Sequence, residues 1–171
     1  YTVATDYIAT EQTGNNIYRY RNVSSAKTHG MELSGSYDLP FGFTPYVSAT
    51  WMKRQYDNGD YTTWKTGVPE WTGRAGVRSL HSVTDDVDII GDVYARFASQ
   101  TQTESGSSRI EYKNDAWTTA NAMLGVKFGK EKQYMVVGEV LNIFNQKYSL
   151  EPDAAIYEPG VHANIKVSVE F

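Results

Sequence analysis

Six charged side chains recur at even-numbered positions in the middle of the chain and could form a ladder of ion pairs. They are Glu70, Arg74, Arg78, Asp88, Asp92 and Arg96. If their two segments pair as antiparallel strands around a turn centred near Val83, facing positions sum to 166. That register places Glu70 opposite Arg96, Arg74 opposite Asp92 and Arg78 opposite Asp88. Cross-strand charge pairs contribute about 0.2–1 kcal/mol each, so the ladder predicts how the two strands align.

A second set of residues combines aromatic rings with cations in polar segments. They are Tyr18, Arg19, Tyr56, Tyr61, Trp64, Arg109, Tyr112 and Lys113. Rings and cations in loops could bind an anionic chelate that arrives from solution. An ordinary solvated loop contains the same residue types, so the set is a candidate ligand surface and does not name a substrate.

The sequence contains no pattern typical of catalysis. No serine lies in a nucleophile-elbow motif, and the loop glycines lack the spacing of a phosphate-binding loop. His29, His81 and His162 fall on different predicted elements without the spacing of metal ligands. We therefore expect no catalytic residue, no metal site and no cofactor. The absence of cysteine excludes disulfides, and the net charge of −4 argues against a nucleic-acid partner.

Period-two alternation of apolar and polar residues runs through the chain and predicts an all-β protein. The predicted strands cover residues 1–10, 20–38, 43–55, 69–80, 86–98, 116–128, 133–144 and 160–171. Short connections alternate with the long polar segments 11–19, 56–68, 99–115 and 145–159. Short turns at one end and long loops at the other are typical of an antiparallel, up-and-down outer-membrane barrel.

Within four of these strands, every charge falls on one face. In the last strand, for example, Ile165 and Val167 alternate with Asn164 and Lys166. A charge on the lipid face costs roughly 2–4 kcal/mol at the bilayer midplane, which would enforce this alternation. We therefore expect one set of apolar residues to face lipid: Ile89, Val93, Leu124, Val126, Val161, Ile165, Val167 and Val169.

A soluble barrel with an apolar ligand cavity would show the same alternation with its faces reversed. Two features favour the membrane. Aromatic residues gather near the strand ends, as the two interfaces of a bilayer select. One group lies beside the short turns, namely Tyr37, Phe43, Phe128, Tyr134 and Phe171, and another lies towards the long loops, namely Trp51, Trp71, Phe97 and Trp117. Glycines at mid-strand on the apolar face also suit lipid better than a closed core.

Three segments together resemble the TonB-dependent receptor family. The first runs from Tyr20-Arg21-Asn22 through Ala26 to Gly30-Met31-Glu32. The second, Asn142-Ile143-Phe144-Asn145-Gln146-Lys147-Tyr148, is similar to the motif of the family's penultimate strand. The third, Glu158-Pro159-Gly160 before a strand that ends in Phe171, is similar to the closing strand. Val161 stands where the family usually has Arg, so the role of that Arg is not carried over.

The resemblance implies that residues 1–171 form one segment, the last eight strands of a barrel of about 22 strands with a plugged lumen. It implies import of a scarce chelate such as a ferric siderophore, with a plug domain and an inner-membrane energy-coupling protein as partners. The charge ladder would then fix strand register or receive the plug, and Phe171 resembles an assembly signal. Eight strands also suffice for a small closed barrel with a structural or adhesive role, so closure stays open.

Overall fold

The computed structural model describes residues 1–14, 17–57, 61–105, 110–150 and 156–170. Side chains are described in these ranges except at positions 5–7, 9–14, 19, 21–24 and 105. Arg109 and Phe171 lie outside the described residues, and so does the side chain of Arg19. Their expected roles in ligand binding and assembly stay predictions.

Eight long strands form one antiparallel sheet in the order β1-β2-β3-β5-β6-β9-β10-β11. Their bounds are Thr2–Gly14 (β1), Ile17–Ser36 (β2), Phe43–Asp57 (β3), Trp71–Thr84 (β5), Val87–Ala98 (β6), Trp117–Phe128 (β9), Tyr134–Leu141 (β10) and His162–Val169 (β11). The short strands are Thr62–Thr63 (β4), Thr101–Ser105 (β7) and Ile110–Asn114 (β8). Each long strand pairs with its predecessor in this order, which confirms the predicted up-and-down fold.

Among the described residues, helical structure is confined to one short 3₁₀ turn, Pro40–Gly42, between β2 and β3. Proline opens this turn, and Phe41 and Gly42 both have positive φ, of 67° and 73°. In the described part of the chain, no helix is long and apolar enough to cross a membrane.

The strands differ from their predicted limits mainly at the loop end of the sheet. β1 continues to Gly14 and β2 begins at Ile17, so most of the predicted loop 11–19 is paired strand. The predicted loop 99–115 contains the hairpin of β7 and β8. Water faces both sides of a strand beyond the bilayer, so apolar alternation fades there although backbone pairing continues. The sequence pattern therefore underestimates these extensions.

The two faces of the sheet differ in burial. We call the face with Asp92, Tyr94 and Arg96 the inner face, and the opposite one the outer face. All eight residues expected to face lipid are exposed on the outer face; Ile165 is 80% and Leu124 65% exposed. The most buried residues are mainly polar, such as Asn121 at 2% on the inner face. This reversal matches a membrane barrel and opposes a soluble barrel with an apolar interior.

The predicted register of β5 and β6 is wrong. Arg74 faces Arg96, Arg78 faces Asp92 and Ser82 faces Asp88, so facing positions sum to 170 rather than 166. β5 continues to Thr84, with a register irregularity after Ser82, and Asp85 and Asp86 form the turn. The turn thus lies two residues later than predicted. This error keeps every side chain on its predicted face, because a shift by an even number preserves alternation.

The sheet does not close on itself in the part of the chain that the structure describes. β1 pairs only with β2, and β11 pairs only with β10, so both are edge strands. An unpaired edge exposes a row of backbone donors and acceptors, which barrels remove by closure. The eight strands therefore form a section of barrel wall.

Candidate functional site: the inner-face network and the loop end

The centre of the inner face is a polar network around Arg74. Its guanidinium Nη2 lies 2.7 Å from Asp92 Oδ2, and its Nε donates to the Tyr46 hydroxyl at 2.8 Å. The Tyr46 hydroxyl in turn donates to the Asp92 carboxylate at 2.9 Å. Asp92 and Tyr46 thus accept hydrogen bonds from the partly buried Arg74 guanidinium. The three side chains connect β3, β5 and β6.

Gly76 explains how Arg74 reaches an acid that is not its facing residue. A Cβ at Gly76 would lie 2.6 Å from Tyr94 Cβ and 2.9 Å from the Tyr46 hydroxyl. Because glycine leaves this space open, the Arg74 side chain extends along its own strand. Its guanidinium carbon lies 3.6 Å from the centre of the Tyr94 ring, a cation–π distance.

The network continues across the sheet through Tyr94. Its hydroxyl donates to Glu139 Oε1 at 3.1 Å, although β9 lies between their two strands. Two strands separated by a third lie roughly 10 Å apart in a flat sheet. The two long side chains therefore link β6 to β10 across β9 on the inner face.

The remaining ladder residues have other neighbours than those predicted. Glu70 pairs with Lys53 at 3.3 Å, and Asp88 pairs with Lys132 at 2.7 Å. Arg78 lies over the Tyr46 ring at 5.1 Å. Of the three predicted pairs, only Arg74–Asp92 forms an ion pair, and its two residues lie diagonally across the strands. The expected roles of the six residues in fixing register or receiving a plug stay predictions.

Arg96 belongs to an aromatic group at the loop end of the inner face. Its guanidinium carbon lies 5.8 Å from the Trp117 ring centre, and the Trp117 and Tyr148 rings lie 4.3 Å apart. Partial burial, with the nearby Glu158 charge, raises the pKa of Tyr148, while Arg96 acts in the opposite direction. Trp117 pairs with Ala98 on the inner face. The prediction that Trp117 belongs to the aromatic band at the membrane interface is therefore wrong.

Four of the other expected aromatic residues lie on the outer face, two towards each end of the strands. Trp51 and Trp71 face each other with ring centres 6.5 Å apart, towards the loops. Phe128 and Tyr134 stack at 5.4 Å beside a short turn. An aromatic group towards each end of the strands is typical of a barrel that spans the two interfaces of a bilayer.

The long loops contact one another. The Gly67 amide donates to the Gln102 carbonyl at 2.8 Å, and the Glu104 amide donates to the Lys65 carbonyl at 3.1 Å. The Thr63 hydroxyl donates to Glu104 at 2.7 Å, and Lys65 forms an ion pair with Glu111. The segment around β4 and the β7–β8 hairpin therefore form one connected surface at this end of the sheet.

This surface contains several of the predicted ligand residues. Tyr56 pairs with Thr63, and Trp64 is 53% exposed and lies 5.8 Å from the His29 ring. Tyr112 and Lys113 lie on β8, which packs with β7. Tyr61 directly precedes β4. Tyr18 lies near the start of β2 and is 63% exposed.

Two motifs of the resemblance meet at the base of the last long loop. Asn142 has φ of 52° and is 3% exposed. Its Nδ2 donates to the carbonyls of Gln146 and Pro159, and its Oδ1 accepts from the Gln146 amide at 2.8 Å. Asn145 Oδ1 accepts from the Val161 amide at 3.1 Å. We call Asn142 and Asn145 with these partners the asparagine clasp.

Sequence reasoning missed several important residues. Tyr46, Tyr94 and Glu139 share the inner-face parity of the charge ladder, so the same alternation could have identified them. Asn121, which accepts from the Asn142 amide at 3.0 Å, has that parity too. Lys65 and Glu111 gave no signal, since a pattern does not reveal which loops meet.

No group of three or more potential metal ligands occurs among the residues that the structure describes.

The comparisons with known proteins agree with the fold. A family model described as "TonB dependent receptor-like, beta-barrel" matches residues 1–143. The solved structure described as "Structure of the FpvAI-pyocin S2 complex" is similar, with a TM-score of 0.66 and 15% identity. That match covers 99% of this chain and 24% of the other, and no curated protein sequence matches.

The chain thus spans about a quarter of the length of that solved chain. The structural likeness supports the antiparallel β-barrel fold, and the family match covers most of the sequence. Members of this family are receptors of the bacterial outer membrane and not enzymes. The alternating faces, the two aromatic groups and the family match have one explanation: the chain belongs to the TonB-dependent receptor family and forms part of its β-barrel.

Proposed function

We propose that this barrel section belongs to a receptor that imports a scarce chelate, such as a ferric siderophore, across the outer membrane. A plug domain in the lumen and an inner-membrane energy-coupling protein would be its partners. The observation that carries the proposal is the connected loop surface, where Trp64, Tyr112 and Lys113 lie on segments joined by hydrogen bonds. Aromatic and cationic groups held together there suit an anionic chelate.

The second candidate, a small closed barrel with a structural or adhesive role, has less support. Such a barrel would require β1 to pair with β11, and in the described residues each has one long-strand neighbour. The inner-face network also stays within β3, β5, β6 and β10. We infer that further strands and a plug domain complete the lumen.

Uptake of radioactive iron by cells that produce the complete receptor tests this proposal. The cells lack their other iron receptors and are offered one ferric hydroxamate and one ferric catecholate. Trp64→Ala and Lys113→Gln remove loop groups, and Lys130→Gln, at the short-turn end, is the matched control. We expect both loop variants to lower uptake at subsaturating chelate several-fold, with the control unchanged.

If the complete receptor takes up neither ferric chelate while the energy-coupling protein is active, iron import is the wrong function. If uptake occurs but the loop variants equal Lys130→Gln, the chelate binds elsewhere. Surface labelling of each variant checks that equal amounts reach the outer membrane.

A further inference from the structure

A groove opens on the outer face of the sheet at its loop end. Its volume is about 440 Å³, within the roughly 300–1,000 Å³ of small-molecule sites. Trp71, Phe97 and Thr118 line it from the outer face of β5, β6 and β9. Ser99 and Ala116 line it just beyond the ends of β6 and β9. Because the outer face contacts lipid, this groove opens into the bilayer and not into the lumen.

The shape of the groove depends on Gly73. A Cβ at Gly73 would lie 2.5 Å from the Phe97 ring, so glycine lets this ring lie over the backbone of β5. Trp71 is 50% exposed and adds a second aromatic ring on the same side. On the other side, Ala116 and Thr118 are small and exposed. The groove therefore has aromatic walls towards β5 and a low floor at β9, which fits a hydrocarbon chain.

The polar groups of the groove are neutral. Gln146 lines it, and its Nε2 donates to the Lys147 carbonyl at 3.3 Å, which leaves its Oε1 to accept. The Thr118 hydroxyl can both donate and accept, while the Ser99 hydroxyl accepts from the Trp71 amide at 3.1 Å. No charged side chain occurs among the described lining residues. A ligand of this groove therefore combines an apolar chain with neutral donors and acceptors.

The groove lies at the outer boundary of the bilayer. The short turns of outer-membrane barrels lie in the periplasm, so the loop end faces the outside. Trp71 belongs to the aromatic group at this end, and such rings lie at the level of the lipid headgroups. Lys147 is exposed, with its ammonium 3.9 Å from the Tyr157 ring centre. A cation at a membrane surface attracts anionic headgroups.

We propose that this groove binds one lipopolysaccharide molecule of the outer leaflet through a hydroxylated, amide-linked acyl chain. The hydrocarbon would pack against Trp71 and Phe97, and the hydroxyl and amide would bond to Thr118 and Gln146, with a phosphate near Lys147. A phospholipid fits less well, because its ester linkages accept hydrogen bonds but donate none. This site lies on the lipid side of the wall and does not depend on what the receptor imports.

Native mass spectrometry of the complete receptor, delipidated in detergent and titrated with a single lipid, tests the site. The probes are a rough lipopolysaccharide and phosphatidylglycerol, which is anionic but has only ester-linked chains. Ala116→Phe fills the groove, and Ala163→Phe, which adds the same ring opposite Val140 on the outer face, is its matched control. Thr118→Val removes the hydroxyl and keeps the side-chain shape. The β-sheet circular dichroism of each variant verifies folding.

We expect the unaltered receptor to bind one lipopolysaccharide, more tightly than phosphatidylglycerol. Ala116→Phe should abolish this binding, and Ala163→Phe should leave it unchanged. Thr118→Val should weaken it about three- to tenfold, the effect of one lost hydrogen bond. The proposal is overturned if the two lipids bind equally, if Ala116→Phe binds lipopolysaccharide as Ala163→Phe does, or if Thr118→Val binds it as tightly as the unaltered receptor.

Discussion

The outer and inner faces of this sheet achieve stability by different means. On the outer face, side chains such as Ile165 and Leu124 are exposed and make few specific contacts, because lipid fills the space around them. On the inner face, Arg74, Asp92 and Tyr46 contact one another with defined geometry. The outer face therefore requires only that a residue be apolar, whereas the inner face requires particular residues at particular positions.

The largest expected difference concerns a charge placed on either face of β11. Ile165→Arg puts a cation on the outer face, opposite Gly138. We expect the free energy of unfolding of the complete receptor in lipid vesicles to fall by about 2–4 kcal/mol. Asn164→Arg, one residue earlier on the inner face and opposite Glu139, is the matched control and should cost under about 1 kcal/mol. Denaturant titration measures both, and equal losses would break the comparison.

Adding a methyl group at a glycine should also lower the free energy of unfolding more on the inner face than on the outer face. Gly76→Ala forces a Cβ to within 2.6 Å of Tyr94 on the inner face, and overpacking costs about 1–3 kcal/mol. Gly138→Ala on the outer face meets its nearest atom at 4.0 Å, so we expect a change within about 0.5 kcal/mol. Both are measured by the same titration. A larger loss for Gly138→Ala would mean that the outer face is the more tightly packed.

The smallest effect should come from the ion pairs. A double-mutant cycle with Arg74→Gln and Asp92→Asn should give a coupling energy of about 1 kcal/mol, since Asp92 is mostly buried. The cycle for Lys53 and Glu70, which are both more exposed, should give about 0–0.5 kcal/mol. High salt should reduce the second coupling more than the first. Equal coupling energies would show that partial burial on the inner face does not strengthen the Arg74–Asp92 pair.

The faces could be predicted from the sequence because alternation depends on single residues. Val93 lies on one side and Asp92 on the other whatever the strand pairs with. The register of β5 and β6 could not be predicted, because the proposed charge ladder assumed that oppositely charged residues lie directly opposite each other. Arg74 instead reaches a diagonal acid past Gly76, and the strands continue to Thr84. A charge pattern identifies possible pairs, while an open position at glycine decides which of them form.

The loop end was predicted least well for a related reason. The short strands β7 and β8 have mixed polar composition, and besides pairing with each other they contact another loop through the Thr66–Thr103 bridge. The motif around Asn142 was found by resemblance, but its contact with Pro159 needed the structure. Contacts between segments distant in sequence leave no periodic signal.

The asparagine clasp makes the last long loop a natural place to insert foreign sequence. Asn142 and Asn145 hold the two ends of the loop together at its base, and the Glu158 amide donates to the Tyr148 carbonyl at 2.9 Å. These contacts at the base of the loop thus support the pairing of β10 with β11. A peptide epitope grafted into this loop beyond these contacts should therefore leave the pairing of β10 with β11 unchanged.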